Sequence, residues 1–352
     1  EEADQWLHKG LKIVGNQLPE QVLADGGNYE RSPMYHAIFT EDLLDLLNLA
    51  QALPGVVPDA HVAQWREAAQ RMLFWLQGMI HPDGDIAFFN DAAIGIAPLP
   101  SELVAYASRL GLQSDSIDAN VTHFPQSGYV RVERNNIMAI LDVARVGPDY
   151  LPGHAHADTL SFELSVDGYR VFVNGGTSEY GAGQIRQIER DTASHNTVVL
   201  NGKSSSETWK GFRVARRAYP FDLNIDDWEH RITVSCKHDG YKRFKGKPVH
   251  KRTWQFLGSE MIIEDEILGD FDHAVAFFHI HPSVIVSDLR RNTWELRLPN
   301  GHTILLQLQE GLAELGHSFY SPEFGKRINS KCLKINFIDT ITRLKVVHAV
   351  DL

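Results

Sequence analysis

The feature that most constrains the fold is a change of hydrophobic period between residues 112 and 120. Before it, apolar residues recur every three or four positions, which is the period of an amphipathic helix. After it, short runs alternate apolar and polar residues, as in strands with one buried face. Helices followed by strands, without helices between the strands, predict an α+β protein with antiparallel sheets.

The first part of the chain is predicted to be helical. Thr40 is a candidate N-cap for the first clear helix, and short links with Pro, Gly and Asp separate it from the next ones. The chain also begins in a helical pattern without an initiator Met, so we expect a fragment or processed form of a longer protein. The clear helices are predicted at Phe39–Leu53, Ala60–Ile80 and Ser101–Gly111.

The second part is predicted to be a large antiparallel β-sandwich that covers residues 120–352. More than ten short alternating runs follow residue 120, among them SGYVRVER, IMAILDVAR, RITVSCKH and MIIEDEIL. Between other runs stand VDGYR and LPNGHT, which are typical of hairpin turns. So many strands without intervening helices favour two packed sheets.

The charge of the chain argues against nucleic acid and anionic membranes as partners. The formal net charge is −11 at pH 7, and negative surfaces repel polyanions. Residues 201–260 nevertheless hold thirteen basic and seven acidic groups. This basic excess predicts either a surface that faces an anionic ligand or an ordinary solvated surface. No run is long and apolar enough to span a membrane. The two cysteines, Cys236 and Cys332, form no ligand cluster.

The stretch GHAHAD is the first candidate site. In an extended segment His154, His156 and Asp158 would point to one face. Polar residues interrupt two nearby apolar runs at Asn174 and His195. Two or three imidazoles with one further ligand and an open position are typical of a catalytic zinc site. The alternative is a set of hydrogen-bonded core histidines.

The segment ADGGNYERSPMYH is the second candidate, because it is more aromatic and ionisable than a helix link requires. Tyr35 acts as a general acid or base when positive charge lowers its pKa, and Arg31 and His36 lie beside it in sequence. Alternatively, Ser32 caps a helix whose first residue is Pro33. Both interpretations hold together, since the cap explains only the backbone.

The third candidate is the long segment between strands at residues 176–196. It carries Tyr180, Arg186 and Arg190, and guanidinium groups pair well with carboxylates or sulfates. Asn196, at its end, is a further substrate-binding candidate. The alternative is a surface crossover held by salt bridges.

Other chemistry is less favoured. The sequence has no Gly-rich phosphate loop, no G-x-S-x-G, no C-x-x-C and no H-E-x-x-H motif. Asp83, Asp85 and Asp91 could suggest the carboxylates of a metal-dependent glycoside hydrolase. A turn between helices explains these three residues better.

Five motifs, in this order along the chain, carry a family resemblance: EQVLADGGNYERSPMYH, DGDIAFFNDAAIGIAP, GHAHADTLSFELSVDG, FVNGGTSEY and HNTVVLNG. The chain resembles the heparinase II/III family of polysaccharide lyases, whose superfamily includes alginate and oligoalginate lyases. The resemblance covers nearly the whole chain. It implies an incomplete α/α toroid in residues 1–115, followed by the sandwich in residues 120–352. It also implies β-elimination at a uronic acid of an acidic polysaccharide, and a periplasmic or secreted location.

The resemblance also implies roles for individual residues. The catalytic set is Tyr35, His154 and Tyr180. The metal set is His156, Asn174 and His195, although the family commonly has Asp where this chain has Asn174. A neutral amide is a poorer zinc ligand than a carboxylate, so the alternative is that the two histidines hydrogen-bond Asn174. The substrate-binding set is Arg31, His36, Arg186, Arg190 and Asn196.

Two functions remain open at this point. The family uses an Asn-His pair upstream of the DGGNYERSP loop to neutralise the substrate carboxylate, and this sequence begins after that position. The first hypothesis is a lyase with zinc as its candidate cofactor. The second is a non-catalytic acidic-glycan-binding or exopolysaccharide-assembly protein that keeps the fold. In either, GHAHAD forms a wall of the cleft, and Asp158 orients a histidine or holds an arginine.

Overall fold

A computed structural model describes residues 2–113, 115–290 and 292–348 of the chain. Within them, the helical elements are a 3₁₀ turn at Thr192–Ser194 and five α-helices. The α-helices are α1 (Glu2–Gln21), α2 (Pro33–Ala52), α3 (Asp59–Gly78), α4 (Pro100–Arg109) and α5 (Gln184–Arg190). Among the described residues, no helix combines the length and the apolar character needed to cross a membrane.

Two helical predictions need correction. Helix α2 begins at Pro33, because the Ser32 hydroxyl accepts the Tyr35 N–H at 3.2 Å and proline is pre-organised for the first turn. Thr40 therefore lies inside α2, where its hydroxyl donates to the His36 carbonyl. Helix α5 and the 3₁₀ turn occupy residues 184–194, in the segment that the sequence predicted as a long loop.

The strands follow α4 along the chain, and α5 lies between the fifth and the sixth strand. The described residues form nineteen strands. They are β1 (Val121–Phe124), β2 (Tyr129–Arg134), β3 (Ile137–Asp142), β4 (Phe162–Val166), β5 (Tyr169–Phe172), β6 (Val198–Leu200), β7 (Thr208–Trp209), β8 (Arg213–Val214), β9 (Pro220–Trp228), β10 (Arg231–His238), β11 (Val249–Leu257), β12 (Glu260–Leu268), β13 (Ala274–Ile280), β14 (Ile285–Arg290), β15 (Thr293–Arg297), β16 (Thr303–Glu310), β17 (Leu312–Tyr320), β18 (Ile328–Asn336) and β19 (Ile341–His348).

Two large antiparallel sheets form the sandwich. Sheet A has the order β1-β2-β3-β4-β5-β13-β18-β17, with β6 beside β13. Sheet B has the order β14-β15-β16-β19-β12-β11-β10-β9, and β7 and β8 form a separate hairpin. Their facing side chains, including Phe162, Phe172, Trp254 and Phe278, form one apolar core. The predicted α+β class with a β-sandwich is therefore confirmed.

The helices cover the outer face of sheet A. Strand β3 is buried throughout, and its Met138 and Ile140 pack with Trp75, Phe89 and Tyr129 on the side away from the sandwich core. Strands of sheet B instead alternate buried and partly exposed residues, as expected for a sheet with one solvated face. The junction between helices and sheet A is thus as well packed as a domain interior, and the polar residues of three sequence motifs meet there.

Candidate functional site

Asp91 is the centre of the candidate site. Its side chain is completely buried, and the Arg186 guanidinium binds both carboxylate oxygens, with Nη2–Oδ2 at 2.7 Å. Nε2 of His156 lies 2.8 Å from Oδ1, and Nδ1 of His154 lies 3.0 Å from Oδ2. Burial alone raises the pKa of Asp91, but these donors hold it well below its usual range. Asp91 is therefore a buried carboxylate that stays ionised.

The sequence assigned Asp91 to a turn between helices, and it does lie at a bend between α3 and α4, but its buried side chain has more partners than a turn requires. Asp83 and Asp85 do lie in the turn that closes at the Ile80–Ile86 bridge, where Asp83 accepts the Arg170 Nε at 2.6 Å. Asp91 instead follows Phe88 and Phe89, which are buried. The buried pair Phe88–Phe89, which ends two positions before Asp91, is the signal that separates it from the turn pair.

Backbone hydrogen bonds bring the three motifs to Asp91. The Asn90 side chain donates to the Arg31 carbonyl at 2.9 Å and accepts the His156 N–H at 3.2 Å. The Ser32 hydroxyl donates to the Asp91 carbonyl at 2.5 Å, and the Asp91 N–H donates to the His154 carbonyl at 3.0 Å. The segments around residues 31, 91 and 155 are thus fixed to one another before any ligand binds.

His154 and His156 do look into one volume, as the spacing predicted, because they bind the two oxygens of one carboxylate. The segment from residue 151 to 161 is irregular rather than a strand. Asp158 is also buried, and its carboxylate accepts the Asn90 N–H at 3.2 Å. The observed hydrogen bond of Asp158 therefore holds the backbone of the site, whereas the sequence predicted that it orients a histidine or holds an arginine. Burial raises the pKa of Asp158.

The side of His154 away from Asp91 meets an aromatic surface. The Tyr35 ring lies 4.0 Å from the His154 ring, and the Tyr35 and Tyr180 hydroxyl groups are 2.8 Å apart. Phe212 and Phe324 flank Tyr180 at 5.4 and 4.9 Å between ring centroids. His154 is 22% exposed and Tyr180 37% exposed. The predicted catalytic residues therefore lie together at a surface that a ligand can reach.

Both tyrosines are neutral phenols. Burial raises the pKa of Tyr35 and of Tyr180, even though Arg186 lies near them and opposes the shift. The sequence interpretation required positive charge to lower the pKa of Tyr35, and burial outweighs that charge. A phenol with a raised pKa keeps its proton at neutral pH and so has one to donate, although the raised pKa makes it a weaker acid.

Three of the five predicted substrate-binding residues bind backbone around the site. Arg31 donates through Nη1 to the carbonyls of residues 145 and 147, both at 2.8 Å. Arg186 donates through Nε to the Gly211 carbonyl at 3.1 Å, in addition to its pair with Asp91. Arg190 donates to the Ala155 carbonyl through Nε and Nη2. Direct contact of these residues with a substrate stays a prediction.

The other two predicted substrate-binding residues, His36 and Asn196, are fully buried. Nδ1 of His36 accepts the Asn28 N–H at 3.2 Å, and Nε2 donates to a carbonyl of α3 at 2.9 Å. Asn196 donates to the Phe162 carbonyl and accepts the His279 N–H. Both are thus bound to other protein groups, and their contact with a substrate also stays a prediction.

The predicted metal residues lie behind His154. Nδ1 of His156 is 3.3 Å from Nε2 of His195, and two nitrogens held at roughly 2.0–2.1 Å by a tetrahedral ion would lie roughly that far apart. Burial lowers the pKa of His156 to about 4 and that of His195 to about 3, so both rings are neutral, as a metal ligand must be. This pair fits a zinc ion.

Asn174 contributes less to such a site. Its Oδ1 accepts the Asn196 N–H at 3.3 Å, and its buried Nδ2 finds no hydrogen-bond partner in the described part of the chain. The alternative from the sequence, with both histidines bonded to Asn174, is not observed, because His156 binds Asp91 and His195 instead. The amide oxygen, which would be the metal ligand, already accepts the Asn196 N–H, so Asn174 is the weakest of the three donors.

The β7–β8 hairpin is a part of the site that sequence reasoning missed. Its turn places Phe212 6.0 Å from the His154 ring, and the Gly211 carbonyl accepts Arg186. Trp209 is 41% exposed, with the charged groups of Lys210 and Arg213 5.4 and 5.1 Å from its ring. The signal was the alternation of aromatic and basic residues in TWKGFR, within the locally basic region. Aromatic rings beside cations are suited to an anionic sugar.

Comparison with known families gives two matches along the chain. The model of the heparinase II/III N-terminus matches residues 1–107, and that of the heparinase II/III-like C-terminal region matches residues 117–340. A heparin-sulfate lyase of Bacteroides stercoris is 24% identical over 328 residues, and one of Bacteroides thetaiotaomicron is 22% identical over 347 residues. FtsZ-localized protein C of Caulobacter vibrioides is 27% identical over 274 residues.

The first two alignments each cover 87% of this chain but 46% and 47% of the relatives, so the chain spans about half their length. The third covers 75% of this chain and 44% of that relative. A solved heparinase III structure superposes with a TM-score of 0.80 at 19% identity, covering 99% of this chain and 56% of that one. The structure of the heparan sulfate lyase HepC of Pedobacter heparinus superposes with a TM-score of 0.76 at 16% identity. That superposition covers 99% of this chain and 56% of HepC. Both likenesses support the fold.

Proposed function

Since the chain belongs to the heparinase II/III family, we propose that it carries the catalytic residues of a polysaccharide lyase that cleaves a uronic-acid-containing glycan by β-elimination. The observation that carries the proposal is the pair of tyrosine hydroxyls 2.8 Å apart, beside a histidine anchored by an ionised carboxylate. Heparan-like glycosaminoglycans are the favoured substrates, because heparin-sulfate lyases are among the relatives. A periplasmic or secreted location and a two-domain division at residues 115–120 belong to the same proposal.

The geometry suggests a division of labour. Asp91 accepts a hydrogen bond at Nδ1 of His154, which directs the other ring nitrogen, Nε2, away from the carboxylate. We assign Nε2 of His154 as the base that removes the C5 proton. The C–H electron pair then forms the C4–C5 double bond as the C4–O4 bond breaks. Tyr35 donates its proton to the leaving O4, and Tyr180 holds the Tyr35 hydroxyl in place.

Positive charge is needed near the sugar carboxylate, because proton removal at C5 places negative charge on it. Arg186 is already paired with Asp91, so it is a weak candidate for this role. Lys210 and Arg213 on the β7–β8 hairpin lie at the exposed Trp209 ring. We propose that this hairpin binds the acidic groups of the glycan and that Trp209 packs against a sugar face.

Zinc is the proposed cofactor, held by His156, His195 and Asn174. A bound zinc ion would supply fixed positive charge behind the Asp91 cluster. His156 would then be held from both sides, by the ion at Nδ1 and by Asp91 at Nε2, which fixes the carboxylate that orients His154. Metal analysis of the purified protein and of His195→Ala tests this. A zinc-free wild type would remove the ion and leave the lyase proposal standing.

The second candidate function is glycan binding without cleavage. It is favoured by the relative named FtsZ-localized protein C, whose name states a location rather than a reaction. Such a protein would hold an acidic oligosaccharide on the aromatic surface and release it unchanged. Binding without turnover separates it from the first proposal.

The deciding experiment uses the full-length protein with a panel of uronate polysaccharides. The product of elimination is a 4,5-unsaturated uronate, which absorbs in the ultraviolet. We expect absorbance to rise with at least one glycan, to be lost in Tyr35→Phe and to persist in Tyr106→Phe, whose hydroxyl binds Asp45 on the helices. Full turnover by Tyr35→Phe would overturn the assignment of the acid. Binding of a glycan with no absorbance change would favour the non-catalytic function.

A further inference from the structure

We propose that Asp167, His302 and His348 form a second metal site, distinct in every residue from the histidine pair at Asp91, and that it takes a zinc-type divalent cation. Nδ1 of His302 lies 2.8 Å from Oδ2 of Asp167, and Nε2 of His348 binds the same oxygen. One ligand atom from each of the three residues lies within 4.8 Å of the other two. The proposal does not depend on lyase activity.

The fold brings these residues from both sheets to one place. Asp167 and Gly168 form the β4–β5 turn of sheet A, and both have positive φ, as two-residue hairpin turns require. His302 precedes β16 of sheet B at the end of the turn after β15. His348 ends β19 and pairs with Ile304 of β16. An ion here would therefore link the β4–β5 hairpin of sheet A to two adjacent strands of sheet B.

The donor set is suited to zinc. Two imidazoles and one carboxylate leave a fourth position for water, as in zinc sites with three protein ligands. The side chains of Asp167 and His348 are nearly buried, whereas that of His302 is 50% exposed. A cavity of 440 Å³ adjoins Asp167 and His302 and gives water and ions a route to them.

The sequence had already isolated two of the three contributing segments. VDGYR and LPNGHT were predicted as hairpin turns. Asp-Gly suits the first turn, but neither turn requires the side chain of Asp167 or His302 to bind a residue of the other sheet. The competing explanation is a carboxylate that simply accepts hydrogen bonds from two histidines. The two differ in whether zinc binds, because the hydrogen-bonded trio would hold no ion.

The test measures zinc bound to metal-stripped protein after equilibrium dialysis against Zn²⁺. We expect His302→Ala and Asp167→Asn each to bind one equivalent fewer than the wild type. Asn tolerates the positive φ at residue 167, and His302 is half exposed, so both variants should fold. The matched control is His230→Ala, whose side chain is 89% exposed, and it should bind as the wild type does. Excess Zn²⁺ should also raise the melting temperature of the wild type more than that of His302→Ala.

The same variants distinguish zinc bound at Asp167 from zinc bound at the histidine pair beside Asp91. His195 is intact in both the wild type and His302→Ala, so the difference between them reports only the Asp167 site. Equal zinc content in the wild type and His302→Ala would overturn the proposal. So would loss of all bound zinc in His195→Ala. If Asp167→Asn failed to fold, His302→Ala would still decide the question.

Discussion

Two buried clusters in this chain are built from the same groups, yet only one of them reaches the surface. In each cluster, the guanidinium of one arginine binds both carboxylate oxygens of an aspartate. A first histidine binds the same aspartate and also contacts a second histidine. The Asp91 cluster is Asp91, Arg186, His156 and His195. The Asp265 cluster, between the two sheets, is Asp265, Arg252, His250 and His238.

The local geometry of the two clusters is nearly the same. The histidine–aspartate distance is 2.8 Å at Asp91 and 2.7 Å at Asp265. The histidine–histidine distance is 3.3 Å in the first cluster and 3.2 Å in the second. In both clusters, burial raises the aspartate pKa and the bound donors lower it to a greater extent. Charge and hydrogen bonding alone therefore do not distinguish the Asp91 cluster from the Asp265 cluster.

The difference lies in how each cluster ends. The Asp91 cluster has a third histidine, His154, which is partly exposed and packs on Tyr35. The Asp265 cluster ends in protein on every side that the structure describes: Arg252 donates to the carbonyls of Leu160 and Asn196, and His238 accepts the Gly240 N–H. The first cluster therefore orients a partly exposed histidine, whereas the second fixes the backbone around Leu160 and Asn196.

The largest expected effect is a difference in kcat between two Tyr→Phe variants, one beside each cluster. Tyr35→Phe should lower kcat by roughly 10²–10⁴-fold, the usual contribution of a general acid, with little change in the unfolding midpoint. Tyr241 lies 5.2 Å from the His238 ring and donates to the Val198 carbonyl. Tyr241→Phe should leave kcat within about twofold and lower the free energy of unfolding by about 1 kcal/mol. Steady-state kinetics and urea denaturation of both variants check this, and similar kcat losses would erase the distinction.

The next effect compares the two aspartates. Asp265→Asn leaves Arg252 buried without its counter-charge, so the free energy of unfolding should fall by roughly 3–5 kcal/mol. Asp91→Asn leaves Arg186 in the same condition and should cost a similar amount. Only Asp91→Asn should also lower kcat in protein that remains folded, because His154 loses its anchor. A folded Asp265→Asn variant with an equally reduced kcat would show that both clusters act on the substrate.

Acid should destabilise both clusters. The pKa of His156 is about 4 in the folded chain and near 6.5 when unfolded, so the unfolded state binds more protons between these values. Stability is therefore complete above pH 6.5 and falls as the pH drops toward 4. We expect a loss on the order of 1–2 kcal/mol for each such histidine between pH 7 and 5. Urea denaturation across this range checks the slope, which should be smaller in His156→Gln, and a flat profile would contradict neutral burial.

The sequence predicted the sandwich from its alternating runs, and it predicted that His154 and His156 face one volume, although the segment that carries them is irregular. It could not predict that Asp91 joins them, since the partners of Asp91 stand 65 and 95 positions away. For the same reason Arg186 and Arg190 were expected to face a ligand, and the structure buries them against protein. Buried ion pairs are formed by tertiary contacts that no local pattern encodes.

The Asp265 cluster was not predicted at all, although its residues lie in strands that were. His250, Arg252 and Asp265 occupy alternate positions whose side chains face the core. The alternation places them on the same face as apolar residues such as Trp254 and Ile263, but it does not show which charged groups pair there. The family resemblance pointed to the region around Asp91, whereas the second cluster of the same make-up is visible only in the folded structure.

The smallest expected effect concerns the surface that only the Asp91 cluster reaches. Arg213 is exposed and lies against the Trp209 ring on the β7–β8 hairpin. Arg213→Ala should raise KM for an acidic glycan by about threefold at low salt, with kcat unchanged, because an exposed ion pair contributes roughly 0.2–1 kcal/mol. The difference should shrink as salt rises, since exposed charges are screened. Arg297→Ala, on β15 of sheet B and also exposed, is the matched control. A KM that rises equally in both variants would mean that net charge attracts the glycan and that the hairpin has no special part in binding it.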